Sequence, residues 1–344
     1  LSEMEIAQKN AEENIEAFEN IVLNIRNKVE LDTDSVSMQK IPILQTEEEL
    51  LSYIPLGLND EYDQGMRFSK QDLILLGGRR GAGKSFTCTN IAVNQYLQDQ
   101  GSLYFTIEMS KEQIFRRMVS TATGIPLKRL QDRVISDMEF DTLAKFQAGR
   151  FDGGDTILKR FLENRDFDKF QTDITKLELR TDAQMDIVYE PSLTLAKIRA
   201  EIEHRVATQN IKVVIVDYLN QVKRSNVPSR NGQYDWTEQI EVSKALKQYA
   251  QDYEVLIFSP YQTDATGEAR FAKGILDAAD AAYSLETWSP IDACITFDCK
   301  KMRNGPMDSF TSEMEWDTLK IGPRSAINPK DKAQMREEME EDDD

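Results

Sequence analysis

The sequence predicts an α/β domain with a mostly parallel central sheet flanked by helices, preceded by a separate N-terminal helix. Short, near-continuous apolar runs recur, LILL at 73–76, VVIVD at 213–217 and VLIF at 255–258, as suits strands buried on both faces. Amphipathic stretches of helical length alternate with these runs, the order expected of parallel strands joined by crossover helices. Between the first run and a helical pattern stands GGRRGAGKSFT at 77–87, a glycine-rich turn joining strand to helix.

Composition sets the limits. At 344 residues and 40% hydrophobic content the chain can fill one large domain or two smaller ones. No run approaches the ~18 uninterrupted apolar residues of a membrane span, and no signal-peptide pattern opens the chain, so the expected location is the cytoplasm, without a membrane partner. Cys88, Cys294 and Cys299 form no C-x-x-C pattern, which argues against structural zinc and disulfides. The single histidine, His204, sits in the charged helical run AKIRAEIEHRV and is expected at the surface, which sets aside a histidine-based triad or metal site. A net charge of −18 argues against a protein that coats nucleic acid over its whole surface, though not against a local basic channel.

The elements follow in order. Residues 1–31 place Ile15, Phe18, Val22, Ile25 and Val29 on one stripe of an otherwise acidic helix that needs a partner. Residues 32–53 read as a linker and 54–325 as the main domain. A helix over about 86–98 follows the glycine turn, then a β-rich run at 102–108, then Ser110 with Gln113 as a capping-box start. Residues 125–187 are mixed and charged, with helical runs near 138–148 and 156–164 and an acidic loop at 152–155. A helix over about 193–208 leads to the strand at 213–217, a helix over 237–251 to the strand at 255–258, and 281–285 and 293–300 supply two more strands. Residues 326–344 form an acidic tail, with seven acidic residues in the last eight positions, expected to be disordered by self-repulsion. The chain opens on Leu1 and not on Met, which points to a natural start, and an N-terminal domain, outside this sequence.

The glycine turn fits G-x-x-x-x-G-K-[ST]. Gly78, Gly81 and Gly83 let backbone N–H groups curl round a triphosphate, Lys84 reaches its β and γ oxygens, and Ser85 ligates Mg²⁺. Arg79, Arg80, Ala82 and Phe86 complete the nucleotide-binding segment, for ATP or another nucleoside triphosphate. Ligand sites in such sheets lie at the C-terminal strand ends, where three more polar residues fall. Asp217 closes an apolar strand, as expected of the carboxylate that holds Mg²⁺; the alternative is a helix cap. Glu108 ends the strand after the P-loop helix and is the candidate general base, with electrostatic capping of the next helix as its alternative. Gln262, in SPYQ, can donate to the γ-phosphate and report its loss.

At these residues the chain resembles the RecA-type motor domain of DnaB-family replicative helicases, particularly those of bacteriophages. GRRGAGKS is similar to that family's P-loop, FTIEMSKEQIFRRM to its strand ending in the catalytic Glu, VVIVDYLNQV to its Mg²⁺ strand, SPYQ to its sensor and KKMRNGP to its trans-acting hairpin. The resemblance implies a RecA-like P-loop core, a homohexameric ring, and ATP sites between subunits, where Lys301 and Arg303 act on the γ-phosphate held by the adjacent protomer. It gives the N-terminal stripe the role of a linker helix that grips the neighbouring subunit. It implies primase and other replisome proteins as partners, the acidic tail being one candidate contact, and a bacterial host cytoplasm if phage-encoded. Pore loops would carry single-stranded DNA. They map here to residues 223–233, with Lys223, Arg224, Arg230, Asn231 and Gly232, and to residues 263–274, with Arg270 and Lys273, donors suited to phosphate contacts without sequence information. Residues 125–187 are longer than the family pattern and have no assigned role. Two other classes share the core: a RecA/RadA-like recombinase that forms filaments on DNA, and a KaiC-type ATP-gated switch. The KKMRNGP hairpin and the place of Glu108 speak against the first, the pore-loop arginines and single P-loop against the second.

Overall fold

The computed structural model describes residues 53–66, 68–224, 236–263, 272–288 and 291–334. All of them belong to one compact unit, Leu51–Asp344. The amphipathic N-terminal helix and most of its linker, and the acidic end of the chain from 335, lie outside the described residues.

The main domain begins with α1 (Asp60–Gly65), started by Asn59, whose side chain accepts from the Tyr62 N–H. β1 (Leu73–Gly78) runs into the glycine turn and α2 (Lys84–Leu97). β2 (Gly101–Thr106) leads to α3 (Lys111–Thr123), where the Ser110 and Gln113 capping box forms as the sequence predicts and Gly124, at φ +73, closes the helix. Then come α4 (Leu127–Asp132), α5 (Asp137–Ala148), α6 (Gly154–Asn164), α7 (Phe167–Ile174) and β3 (Met185–Tyr189). α8 (Leu195–Thr208) precedes β4 (Ile211–Asp217), and α9 (Trp236–Asp252) precedes β5 (Leu256–Gln262). α10 (Ala272–Asp277), β6 (Ala281–Thr287), β7 (Cys294–Met302), β8 (Phe310–Glu315) and β9 (Lys320–Ser325) complete the fold.

Among the described residues the strands form one nine-stranded sheet in the order β3-β2-β4-β5-β1-β6-β7-β8-β9. The six from β3 to β6 are parallel, and β7, β8 and β9 extend the sheet antiparallel. Alternation along β1 divides the core between two faces. Ile74 and Leu76 pack with Cys88, Ile91 and Val93 of α2 and with Ile114 and Met118 of α3. Leu73 and Leu75 pack with Ile198 and Ile202 of α8, Val242 and Leu246 of α9, and Ile275 of α10. The segment leading into β1 joins the first face: Ile54 and Phe68 pair, and Tyr62 of α1 stacks on Phe310 with ring centroids 4.2 Å apart.

Within 125–187 the two helical runs read from sequence are α5 and α6, and the acidic loop at 152–155 is instead the start of α6, with Gly153 as its N-cap at φ +77. α4, α7 and β3 go beyond the sequence reading. α5, α6 and α7 enclose a small core of their own, Ala144, Ala148, Ile157, Phe161, Phe170 and Ile174. The segment expected to be disordered from 326 is helical over 329–334. Asn328 accepts from the Lys330 N–H, and Lys330 pairs with Glu286 at 2.8 Å above the Trp288 ring. The self-repelling acidic run starts only at Glu337, so charge does not oppose order here.

Asp63 on α1 accepts the Leu56 and Gly57 N–H groups at 3.0 and 2.8 Å. Burial outweighs these bonds and pushes its carboxyl up to about 6 from 3.8. A folded-state value above the unfolded one stabilises the fold fully below about pH 4, and that contribution fades as pH rises to about 6. Urea unfolding of wild type and Asp63→Asn at intervals from pH 4 to 7 should show the variant gaining on wild type by up to about 3 kcal/mol across that window. A difference that does not vary with pH would remove Asp63 as its source.

Candidate functional site

The turn from β1 into α2 builds the floor of the site. Gly81 and Gly83 sit at φ +84 and +86, in the left-handed region that favours glycine. A Cβ on Gly83 would lie 2.8 Å from Ile295 Cδ1 and 2.9 Å from Thr287 Cγ2, and one on Gly78 would lie 2.9 Å from Ala82 Cβ. The glycine spacing is thus demanded by closure of the loop against β6 and β7. Beside Gly81 a Cβ would meet nothing within 4 Å. Gly83 caps α2 without a side-chain hydrogen bond, which leaves the first N–H groups of the helix for an anion. Lys84 Nζ donates to the carbonyls of Gly78 and Arg79 at 2.7 and 2.8 Å. Burial lowers its pKa, while Asp217 and Glu108 favour its charge.

Above this floor opens a cleft of about 530 Å³, lined by Arg80, Gly81, Gly83, Lys84, Ser85, Phe86, Glu108, Asp217 and Gln262 among the residues expected from sequence. Asp217, the last residue of β4, is buried; its Oδ2 accepts from the Tyr104 hydroxyl at 2.7 Å, and Ser85 also hydrogen-bonds to the carboxylate. Burial raises the Asp217 pKa, and the bonds from Tyr104 and Ser85 oppose that rise. Glu108 lies two residues beyond β2, exposed, with Oε1 accepting from the Tyr218 hydroxyl at 3.1 Å and Gln221 Nε2 at 2.7 Å. Gln262 ends β5, and its N–H donates to Asn220 Oδ1 at 2.9 Å. The next N–H, of Thr263, donates to the Gly78 carbonyl at 3.3 Å, which joins the sensor segment to the P-loop.

The fit to a nucleoside triphosphate rests on the uncapped helix start and on the open side of Gly81. The fit to Mg²⁺ rests on the contact between the Ser85 hydroxyl and the Asp217 carboxylate. Mg²⁺ takes one or two protein oxygens and completes its shell with phosphates and water. Among the described residues no cluster of three or more His, Cys, Asp or Glu offers a larger cage.

Arg117 goes beyond the residues expected from sequence. It lines the cleft from α3, with its guanidinium 4.9 Å from the centroid of the Phe86 ring. Burial works against its charge, while Tyr104 and Asp217 favour it. The signal is present in the chain: Ile114 and Met118 are buried, so helical period puts Arg117, rather than Arg116, beside the inward face. Tyr218, Met109 and Thr106 also line the cleft.

Lys301 and Arg303 stand apart. Met302 pairs with Ala281 at the start of β6, and Ala281 pairs with Ile74 near the start of β1, whereas the P-loop leaves the other end of β1. Lys301 Nζ donates to the carbonyls of Leu276 and Asp277 at 2.7 and 3.0 Å, and Arg303 pairs with Asp280 at 2.9 Å. Of the expected DNA-contacting residues, Lys223 and Arg224 are exposed beyond β4; the Lys223 N–H donates to the Leu193 carbonyl, and the Arg224 N–H to Glu238 Oε1. Lys273 belongs to α10. Arg230, Asn231, Gly232 and Arg270 lie outside the described residues. His204 is exposed on α8, and all three cysteines are free. Among the described residues no helix is long and apolar enough to cross a membrane.

Comparison with known proteins agrees with this architecture. The chain is 27% identical over 216 residues to a probable replicative DNA helicase of Trieres chinensis, a match that covers 62% of this chain and 40% of that protein. It spans less than half the length of the curated relatives it matches first, with 40%, 45% and 44% of them covered. Among solved structures, a helicase-sized ATPase domain superposes with a TM-score of 0.59 at 14% identity over 90% of this chain and 98% of that one. A DnaB-like replicative helicase described with its primase interactions gives 0.61 at 16% identity over 92% and 74%. These likenesses show a shared RecA-like fold. The family model of the DnaB-like helicase C terminal domain matches residues 56–274, well over half the sequence, and the chain belongs to that family.

Proposed function

We propose that this chain is the motor domain of an ATP-driven, ring-forming replicative helicase that translocates on single-stranded DNA and unwinds duplex DNA. The observation that carries the reading is a division of labour within one fold. P-loop, Glu108, Asp217 and Gln262 meet in a single cleft, while Lys301 and Arg303 stand at the far end of the sheet, where they are available to another subunit.

Gly78 to Phe86 hold the nucleotide, with Lys84 and the α2 N–H groups on its phosphates. Ser85 and Asp217 hold Mg²⁺, which supplies charge neutralisation on the phosphates when bound. Glu108, oriented by Tyr218 and Gln221, accepts the proton of the attacking water. Gln262 donates to the γ-phosphate and, through the Thr263 bond to Gly78, communicates its loss to the loop that follows. Lys301 and Arg303 from the adjacent protomer stabilise the charge that develops in transfer. Lys223, Arg224, Arg230, Asn231, Gly232, Arg270 and Lys273 grip DNA phosphates in the pore. The N-terminal stripe binds the neighbouring subunit in a homohexamer, and primase is a partner, in line with the relatives named replicative helicases.

Electron microscopy with single-stranded DNA and a slowly hydrolysed ATP analogue tests the assembly, alongside a strand-displacement assay. A closed ring threaded by DNA, with displacement that depends on ATP, is expected. A helical filament would support a recombinase, a ring indifferent to DNA a nucleotide-gated switch, and a persistent monomer would overturn the reading.

A further inference from the structure

Asp280, between α10 and β6, is a carboxylate only 4% exposed whose two oxygens face different duties. Oδ2 accepts from the Leu73 N–H at 2.8 Å, at the first residue of β1, and from Lys247 Nζ at 2.7 Å. Oδ1 accepts from Arg303 Nη1 at 2.9 Å. The backbone runs in parallel with these bonds, since the Asp280 N–H donates to the Leu73 carbonyl and the Arg303 N–H to the Asp280 carbonyl. Anchoring of the chain is therefore complete through Oδ2 and the backbone, and Oδ1 acts on the guanidinium alone. That guanidinium is 46% exposed, so the N–H groups not bonded to Asp280 and the Asp277 carbonyl face outward.

We propose that Asp280 is the positioning residue for Arg303, holding its guanidinium at the place from which it reaches the phosphates bound by the neighbouring subunit. This inference rests on the trans role of Arg303 proposed above. One carboxylate is shared by two cations, so the seat orients Arg303 without cancelling the local positive charge. It also fixes that seat to β1, whose far end becomes the subunit's own P-loop.

Asparagine separates the two duties. In Asp280→Asn the amide oxygen can keep the Leu73 and Lys247 bonds, and Nδ2 then presents a donor to the donors of Arg303. A double-mutant cycle on the full chain, assembled with ATP and single-stranded DNA, compares wild type, Asp280→Asn, Arg303→Ala and the double variant. Asp280→Asn should lower kcat roughly 10- to 100-fold, the range for a displaced reacting group. Affinity for a fluorescent ATP analogue should stay within about twofold, because only the seat has changed. In the Arg303→Ala background it should lower kcat no further. Multiplicative losses, or wild-type kcat in Asp280→Asn beside a crippled Arg303→Ala, overturn the inference and leave the trans role standing. Wild-type kcat in Arg303→Ala overturns the trans role and the inference with it. If Asp280→Asn alone does not fold, the same cycle is run in a Lys247→Met background, which removes the buried ammonium together with the charge it balances.

Discussion

Glu108→Gln should cut ATP turnover of the assembled protein by roughly 10²- to 10⁴-fold, the range for losing a general base, while nucleotide affinity stays near wild type. The substitution keeps shape and length. Its amide oxygen can still accept from Gln221 Nε2 and the Tyr218 hydroxyl, which now hold the Glu108 carboxylate at 2.7 and 3.1 Å. Because Glu108 is exposed, no packing is lost. What disappears is the ability to take a proton. Steady-state hydrolysis and titration with a fluorescent ATP analogue check both halves. Wild-type turnover would remove Glu108 from the role, and a large loss of affinity would make it a binding group.

Arg303→Ala should lower turnover by about 10³-fold in the ring, the scale on which an arginine supplied from outside a phosphate site acts. The defect should be one of partnership. Lys84→Ala subunits have a failed cleft and a sound Arg303, whereas Arg303→Ala subunits have the reverse. Each alone should be nearly inactive, yet a random equal mixture creates about a quarter of its head-to-tail interfaces with both parts intact. Hydrolysis by the mixture well above the sum of the two pure samples is therefore expected. A mixture no more active than its components would place Arg303 in its own subunit's chemistry or in none.

The nucleotide cleft is legible where chemistry is local in the chain. Gly78, Gly81 and Gly83, Lys84 and Ser85 are nearly contiguous, and Asp217 and Glu108 announce themselves by following apolar strands. Arg117 escapes a sequence reading because its role depends on α3 crossing above Phe86, a tertiary fact that one helix pattern only hints at. β3 escapes because an edge strand of five residues, mostly half-buried and with Asp186 among them, lacks the continuous apolar signature of β4. β8 and β9 mix polar and apolar residues over only six positions each, too short for a clear period. The core of α5, α6 and α7 is hidden by its size, since six buried residues spread over about thirty positions give no strong stripe. Lys301 and Arg303 read as solvated charges until the family resemblance gives them a neighbour to act on. Even then nothing in the sequence points to Asp280, which becomes conspicuous only when β1, α9 and the end of β7 are brought together around it.

β1 is only six residues long, yet it has Asp280 bonded at its first residue and the phosphate loop leaving its last. An extended strand hydrogen-bonded on both sides cannot lengthen, so it works as a ruler of about 20 Å between the fuel a subunit keeps and the cation it lends. In the proposed closed circle, built from such inextensible spacers, a change at one junction cannot be absorbed as internal slack. It has to emerge as displacement at the next seam, so that separate combustion chambers turn a single crankshaft.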